Sequence, residues 1–254
     1  MAETSRGAQA GAGTQDDHQE WLAQMERESR AKQKTFMDGI ASKLNRPRVT
    51  QKPARPVKGA PDFWQAFEWP LEERIERFTE NFRSVGGHVE RLADMSGVRE
   101  FIANKAREMS ARYVIRQNEP ELEALGLEAA LEQAVVRVWN TDEQEQWKAR
   151  AAESDFGVVL ADYAAAYTGS ITVLSSKDKG RSVSLLPTVL FAIIPADRLK
   201  TSLGEILVNF DEAGQGGLPA GIHFISGPSR SADIENDLTI GVHGPGVVYA
   251  LIVG

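Results

Sequence analysis

Apolar residues fall at two different spacings along this chain, and the spacing separates helices from strands. Phe36, Ile40 and Leu44 recur at every fourth residue, on one face of a helix that Pro47 ends. Leu71, Ile75, Phe78 and Phe82 make a second stripe, stopped at Gly86 and Gly87. Residues 198–210 carry a third, through Leu199, Leu203, Ile206, Leu207 and Phe210. Between the stripes, short unbroken apolar runs predict strands over residues 113–115, 135–139, 157–160, 171–174, 189–194, 222–226 and 247–253. Such runs, rich in β-branched side chains and without alternation, belong to strands buried on both faces. Thr141 and Gln144, spaced as a capping box, predict a helix after the second strand. The expected fold class is α/β, a largely parallel sheet flanked by helices.

Ahead of this body the pattern changes. Residues 1–20 are rich in Gly, Ala, Gln, Ser and Thr and are expected to be disordered, with the first helix following them. Residues 43–58 hold six basic side chains (Lys43, Arg46, Arg48, Lys52, Arg55, Lys58), three prolines and no acid. This reads as a solvated linker more readily than as a docking strip for an acidic partner. The division expected is a helical N-terminal extension with this linker over 1–60, and an α/β domain over 61–254.

Composition narrows the function classes. The chain has no cysteine, which excludes disulfides, thiolate nucleophiles and cysteine-ligated iron–sulfur clusters within it. Its four histidines, His18, His88, His223 and His243, show no metal-ligand spacing, so no metal site is expected. A net charge of -7 argues against nucleic acid as partner. No apolar run approaches the roughly 20 residues of a membrane span, and the first thirty residues lack the apolar core of a secretory signal. Cytoplasm is the expected location.

Nucleotide motifs are missing: there is no P-loop, and the glycines at 214, 216 and 217 follow a helix, which predicts a flexible loop over 214–219. Three polar clusters instead sit at predicted strand ends, where open α/β sheets place ligands. Asp162 and Tyr163 precede Tyr167, Thr168, Gly169 and Ser170, whose hydroxyls and Gly amide suit an anionic oxygen or an ordinary turn. Lys179 and Gly180 lead into Arg181, Ser182 and Ser184, where Arg181 offers a planar two-pronged donor for carboxylate or phosphate, or tips a solvated hairpin. After a strand expected to be buried at 222–226 come Gly227, Pro228, Ser229, Arg230, Ser231, Asp233 and Glu235. The two acids could begin a short helix whose N-terminus favours anions. His243, between Val242 and Gly244, completes the set.

In this order and spacing the clusters resemble the LUD domain of the lactate-utilisation protein C family, from about residue 78 onward. The resemblance implies a fold similar to the sugar-phosphate isomerase and CoA-transferase group. It also implies a part in L-lactate oxidation to pyruvate beside two partner subunits that carry the iron–sulfur centres, with no cofactor in this chain. Tyr167 departs from the family pattern, which has Glu there. The leading expectation is an accessory subunit that binds a small anion through Arg181, Arg230 and the neighbouring hydroxyls. The alternative is a free-standing enzyme acting on a phosphorylated or CoA-linked molecule, with Asp233 or Glu235 as nucleophile or base.

Overall fold

The computed structural model describes residues 15–51, 67–232 and 238–254, and the chain divides into two compact units, Met1–Pro56 and Val57–Gly254. In the first unit α1 (Gln15–Lys43) begins inside the stretch expected to be disordered. Its apolar stripe buries little: Phe36 is 68% exposed, and Leu44 just beyond the helix 55%. Glu26 with Arg30 and Lys34 with Asp38 make ion pairs one turn apart along it. Residues 1–14 and the linker from residue 52 to 66 lie outside the described residues.

The second unit opens with α2 (Leu71–Ser84), which buries Ile75, Phe78 and Phe82 and ends where Gly86 takes φ +85°. It continues through β1 (His88–Leu92), α3 (Met95–Glu108), β2 (Tyr113–Arg116), α4 (Pro120–Glu123), α5 (Leu127–Ala130) and β3 (Val135–Val138). Next come α6 (Trp147–Glu153), β4 (Phe156–Leu160), β5 (Tyr163–Ala165), β6 (Ser170–Ser175), α7 (Arg181–Leu185) and β7 (Val189–Pro195). The last elements are β8 (Leu199–Lys200), α8 (Leu203–Gly217), β9 (Gly221–Ile225), β10 (Arg230–Ala232), β11 (Leu238–Ile240) and β12 (Val247–Val253).

Six strands form a wholly parallel sheet in the order β1-β12-β7-β4-β2-β3. Alternate residues of its central strands feed two cores. Val159, Ala192 and Ala250, in register across three strands, pack on one face with Phe78 and Phe82 of α2. Val158, Phe191 and Leu251 pack on the other with Val98 and Ile102 of α3. Both faces are therefore dry, which accounts for the unbroken apolar runs. Burial of Phe78 and Phe82 stabilises by about 1.5–3 kcal/mol each.

A second sheet, β8-β5-β6-β9, with antiparallel pairings of β5 with β6 and β6 with β9, covers part of the first face. Ala164, Ile171, Val173 and Leu199 are its contribution to that core. The predicted strands 171–174 and 222–226 belong here rather than to the parallel sheet. β9 is an edge strand, not a buried one, and Phe224 on it is 44% exposed.

Three local expectations are corrected. Thr141 donates its hydroxyl back to Val138 O, the Gln144 amide goes to Asp142 Oδ1, and the helix starts only at Trp147. The capping box instead stands at Ser202 with Glu205, so Leu199 falls on β8 and α8 begins four residues later. The glycine loop is partly helical: α8 runs to Gly217 and breaks at Gly214, where φ is +62°.

Candidate functional site

Two glycines bring α7 and β9 side by side. A β-carbon on Gly157 would lie 2.2 Å from Val183 O, so only glycine in β4 lets the backbone of α7 settle on the sheet. At Gly221, the first residue of β9, a β-carbon would meet His223 Nε2 at 3.0 Å, Ser175 Oγ at 3.2 Å and Arg181 Cδ at 3.6 Å. Three side chains from β6, α7 and β9 thus converge on one bare patch of backbone.

Their electrostatics favour an anion. The Ser175 hydroxyl and His223 Nε2 are hydrogen-bonded at 3.0 Å. Burial, and secondarily the charge of Arg181, hold the His223 pKa below its ordinary value, which keeps the imidazole neutral near pH 7. Arg181 is exposed, and its guanidinium makes no hydrogen bond or ion pair among the described residues. The serine and the neutral histidine can each donate or accept, according to the imidazole tautomer; the arginine supplies the charge.

One helical turn along α7 from Arg181, a groove with a cavity of about 250 Å³ lies between Ser184, Phe224, Ser226, Ser229 and His243. Two loops close it. The Ser229 amide donates to Pro245 O and the Gly241 amide to Ser229 O, both at 2.9 Å. Gly244 permits this approach, since a β-carbon there would stand 3.1 Å from Ser229 Cβ. Gly227, at φ +96°, turns the chain into the loop against Val85.

The residues singled out in the sequence are thus divided. Ser184, Gly227, Ser229 and His243 line one cavity, and Arg181 stands one helical turn away on α7, beside Gly221 and outside that lining. Ser170 reaches the cavity wall only through Ser226, Oγ to Oγ at 2.7 Å. Thr168 is exposed on its turn, and Gly169 (φ +57°) is packed against Asn81 and Phe82 of α2, a structural placement. Ser182 is half-buried, its carbonyl accepting the Leu186 amide. Ser231 pairs with Thr239 in the β10–β11 ladder.

Arg230 is not in the groove. Its guanidinium donates to Val85 O at the end of α2. Nor do residues 229–232 form a helix: the backbone of Ser229 is spent on Pro245 and Gly241, and β10 pairs antiparallel with β11. The amides of a helix N-terminus are therefore not presented at residues 229–232. Asp233 and Glu235 lie outside the described residues. Ser175, Gly221 and His223 were not foreseen, because only the β6–β9 pairing brings them together. Among the described residues no group of three His, Asp or Glu side chains could hold a metal ion.

The profile of the LUD domain family matches residues 75–253. Lactate utilization protein C of Halalkalibacterium halodurans is 37% identical over 219 residues, 84% of this chain and 94% of that protein. The protein of the same name from Bacillus subtilis is 32% identical over 222 residues, covering 84% and 92%. A crystal structure of a DUF162 family protein from Deinococcus radiodurans superposes with a TM-score of 0.55 at 19% identity, over 73% of this chain and 99% of that one. That likeness is one of fold.

Proposed function

The chain belongs to the LUD domain family, and we propose on that footing that it serves lactate utilisation as a non-redox, anion-binding subunit of an L-lactate-oxidising iron–sulfur system. The names of its relatives support the pathway. The meeting of Arg181, Ser175 and His223 around Gly221 carries the binding site. Arg181 holds the carboxylate of a small anion, and His223 with Ser175 hydrogen-bonds its remaining oxygen. Ser184, Ser229 and His243 supply further donors in the cavity one helical turn along α7.

Electron transfer falls to two partner subunits in this reading. A chain of 254 residues without cysteine offers no thiolate to a cluster, so no step of the redox chemistry is assigned to it. No membrane span is required of it: among the described residues no helix is long and apolar enough to cross a bilayer.

Calorimetric titration with L-lactate, pyruvate and phosphate tests the site. Saturable binding that Arg181→Ala abolishes is expected; binding unchanged by that variant sinks the assignment. Co-purification with two cysteine-rich iron–sulfur proteins from cells grown on lactate tests the partnership. Turnover of a phosphate or CoA ester by the isolated chain would favour the free-standing enzyme instead.

A further inference from the structure

The parallel sheet reverses its winding between β2 and β4: the chain leaves β2 toward β3 on one side and leaves β4 toward β7 on the other. Open α/β sheets receive ligands beyond the C-terminal ends of the strands at such a reversal. The groove described above is elsewhere, for its cavity reaches Leu190 and Val248 near the N-terminal ends of β7 and β12.

At the reversal, residues 117–119 leave β2, Asp162 follows β4, and the loop 176–180 lies across both, with the Asn118 amide donating to Asp178 O. The Lys179 ammonium donates to both oxygens of Asp162 at 2.7 and 2.8 Å and stands 3.3 Å from Glu119 Oε1. All three side chains are largely buried, 11–19% exposed. Asp162 also accepts the Leu174 amide, so it is fully served. Glu119 is not. One ammonium faces two carboxylates, and the other charged neighbour acting on Glu119, Glu121 of α4, is also an acid.

Two atoms of this corner are buried and have no hydrogen-bond partner: Glu119 Oε2 and Gln117 Nε2. Gln117 is fully buried, and its own carbonyl oxygen accepts the Leu160 amide, which fixes the amide group and leaves the NH2 over. Both atoms belong to the same three residues at the end of β2. A buried polar atom without a partner is uncommon in a folded protein, and each one calls for a partner such as a ligand or an ordered water.

We propose that Gln117, Glu119 and Lys179 form a second site, which binds the carbonyl or carboxylate oxygen of a small molecule with the Gln117 amide and the Glu119 carboxyl as its donors. Glu119 donates only when protonated. Burial favours that form, as do Asp162 and Glu121, while Lys179 opposes it. Lys179 is a positioning residue, holding Glu119 Oε1 while Oε2 faces the ligand.

The test uses the full chain carrying Arg181→Ala, which silences the site around Gly221, titrated with pyruvate and with acetate at about pH 5 and about pH 8. Saturable binding that is tighter at the lower pH is expected. Gln117→Leu should weaken it about tenfold or more. Glu119→Gln keeps a donor and should leave binding in place with its pH dependence gone, a readout that stands even where Gln117→Leu does not fold. Crystals soaked in pyruvate should place a ligand oxygen within hydrogen-bond reach of Gln117 Nε2. No saturable binding at either pH, a pH dependence that survives Glu119→Gln, or water alone at Gln117 in the soaked crystals would overturn the proposal.

Discussion

The indole of Trp139 fills the space that a side chain on Gly180 would need: a β-carbon there would lie 2.0 Å from the nearest ring carbon. The ring is also anchored, its Nε1 donating to Lys177 O in the same loop. Gly180 has an ordinary φ of -68°, so the requirement for glycine is steric alone. Gly180→Ala should cost about 1–3 kcal/mol and lower Tm by several degrees in thermal melting. Because Gly180 leads directly into Arg181, anion binding at Arg181 should weaken in parallel.

Two other glycines should respond in opposite directions. Gly157→Ala sets a β-carbon against the carbonyl of Val183, which cannot rotate away, so α7 must lift from β4. Destabilisation of about 1–3 kcal/mol is expected in urea. Gly39 lies within α1 with nothing inside 4 Å of its would-be β-carbon. Gly39→Ala should raise the helical signal in circular dichroism and favour the helix by about 1 kcal/mol.

His223 links pH to stability with a definite sign. Its folded pKa lies below the ordinary 6.5, so the unfolded chain takes up a proton that the folded chain resists. Stability should therefore be lost as pH falls through about 6.5, until the folded group titrates as well. Arg181→Ala removes the smaller of the two causes. The imidazole pKa read by NMR should rise yet stay below the ordinary value, since burial remains. An anion bound at Arg181 should raise it too, so binding tightens as pH drops.

Ion pairs on the two units should differ sharply in worth. Lys179→Met strands Asp162 and Glu119 among buried atoms without a cation, and about 3–5 kcal/mol should be lost in denaturant titration. Arg30→Ala breaks a pair whose side chains are 76% and 61% exposed, and a change within about 0.5 kcal/mol is expected.

What was legible in the sequence followed from burial. Val158, Val159 and Leu160 form an unbroken apolar run because each face of β4 meets its own core. Phe78 and Phe82 recur at helical spacing because α2 rests on one of those cores. The site was legible only where neighbours in sequence are neighbours in space. Ser184, Ser229 and His243 were foreseen as polar residues in turns, and they do line one cavity. Arg230 was misplaced because the acceptor that claims it, Val85 O, lies 145 residues away. Ser175 and His223 meet through a strand pairing 48 residues apart, and β9 read as buried although it forms an edge. Gln117 and Glu119 went unnoticed for the same cause: their neighbours Leu160, Asp162 and Lys179 come from separate elements.

The position of β12 bears on how this protein comes into being at the ribosome. β1 has one neighbour in the sheet, and His88 waits for Tyr249 to be made before it has a partner. Until then β7, already paired with β4, offers a long open edge of Val189, Phe191 and Ile193 to any other extended chain. Such remote pairings slow folding and prolong exposure to aggregation. The growing chain should need shielding from the completion of β7 until β12 slots between β1 and β7.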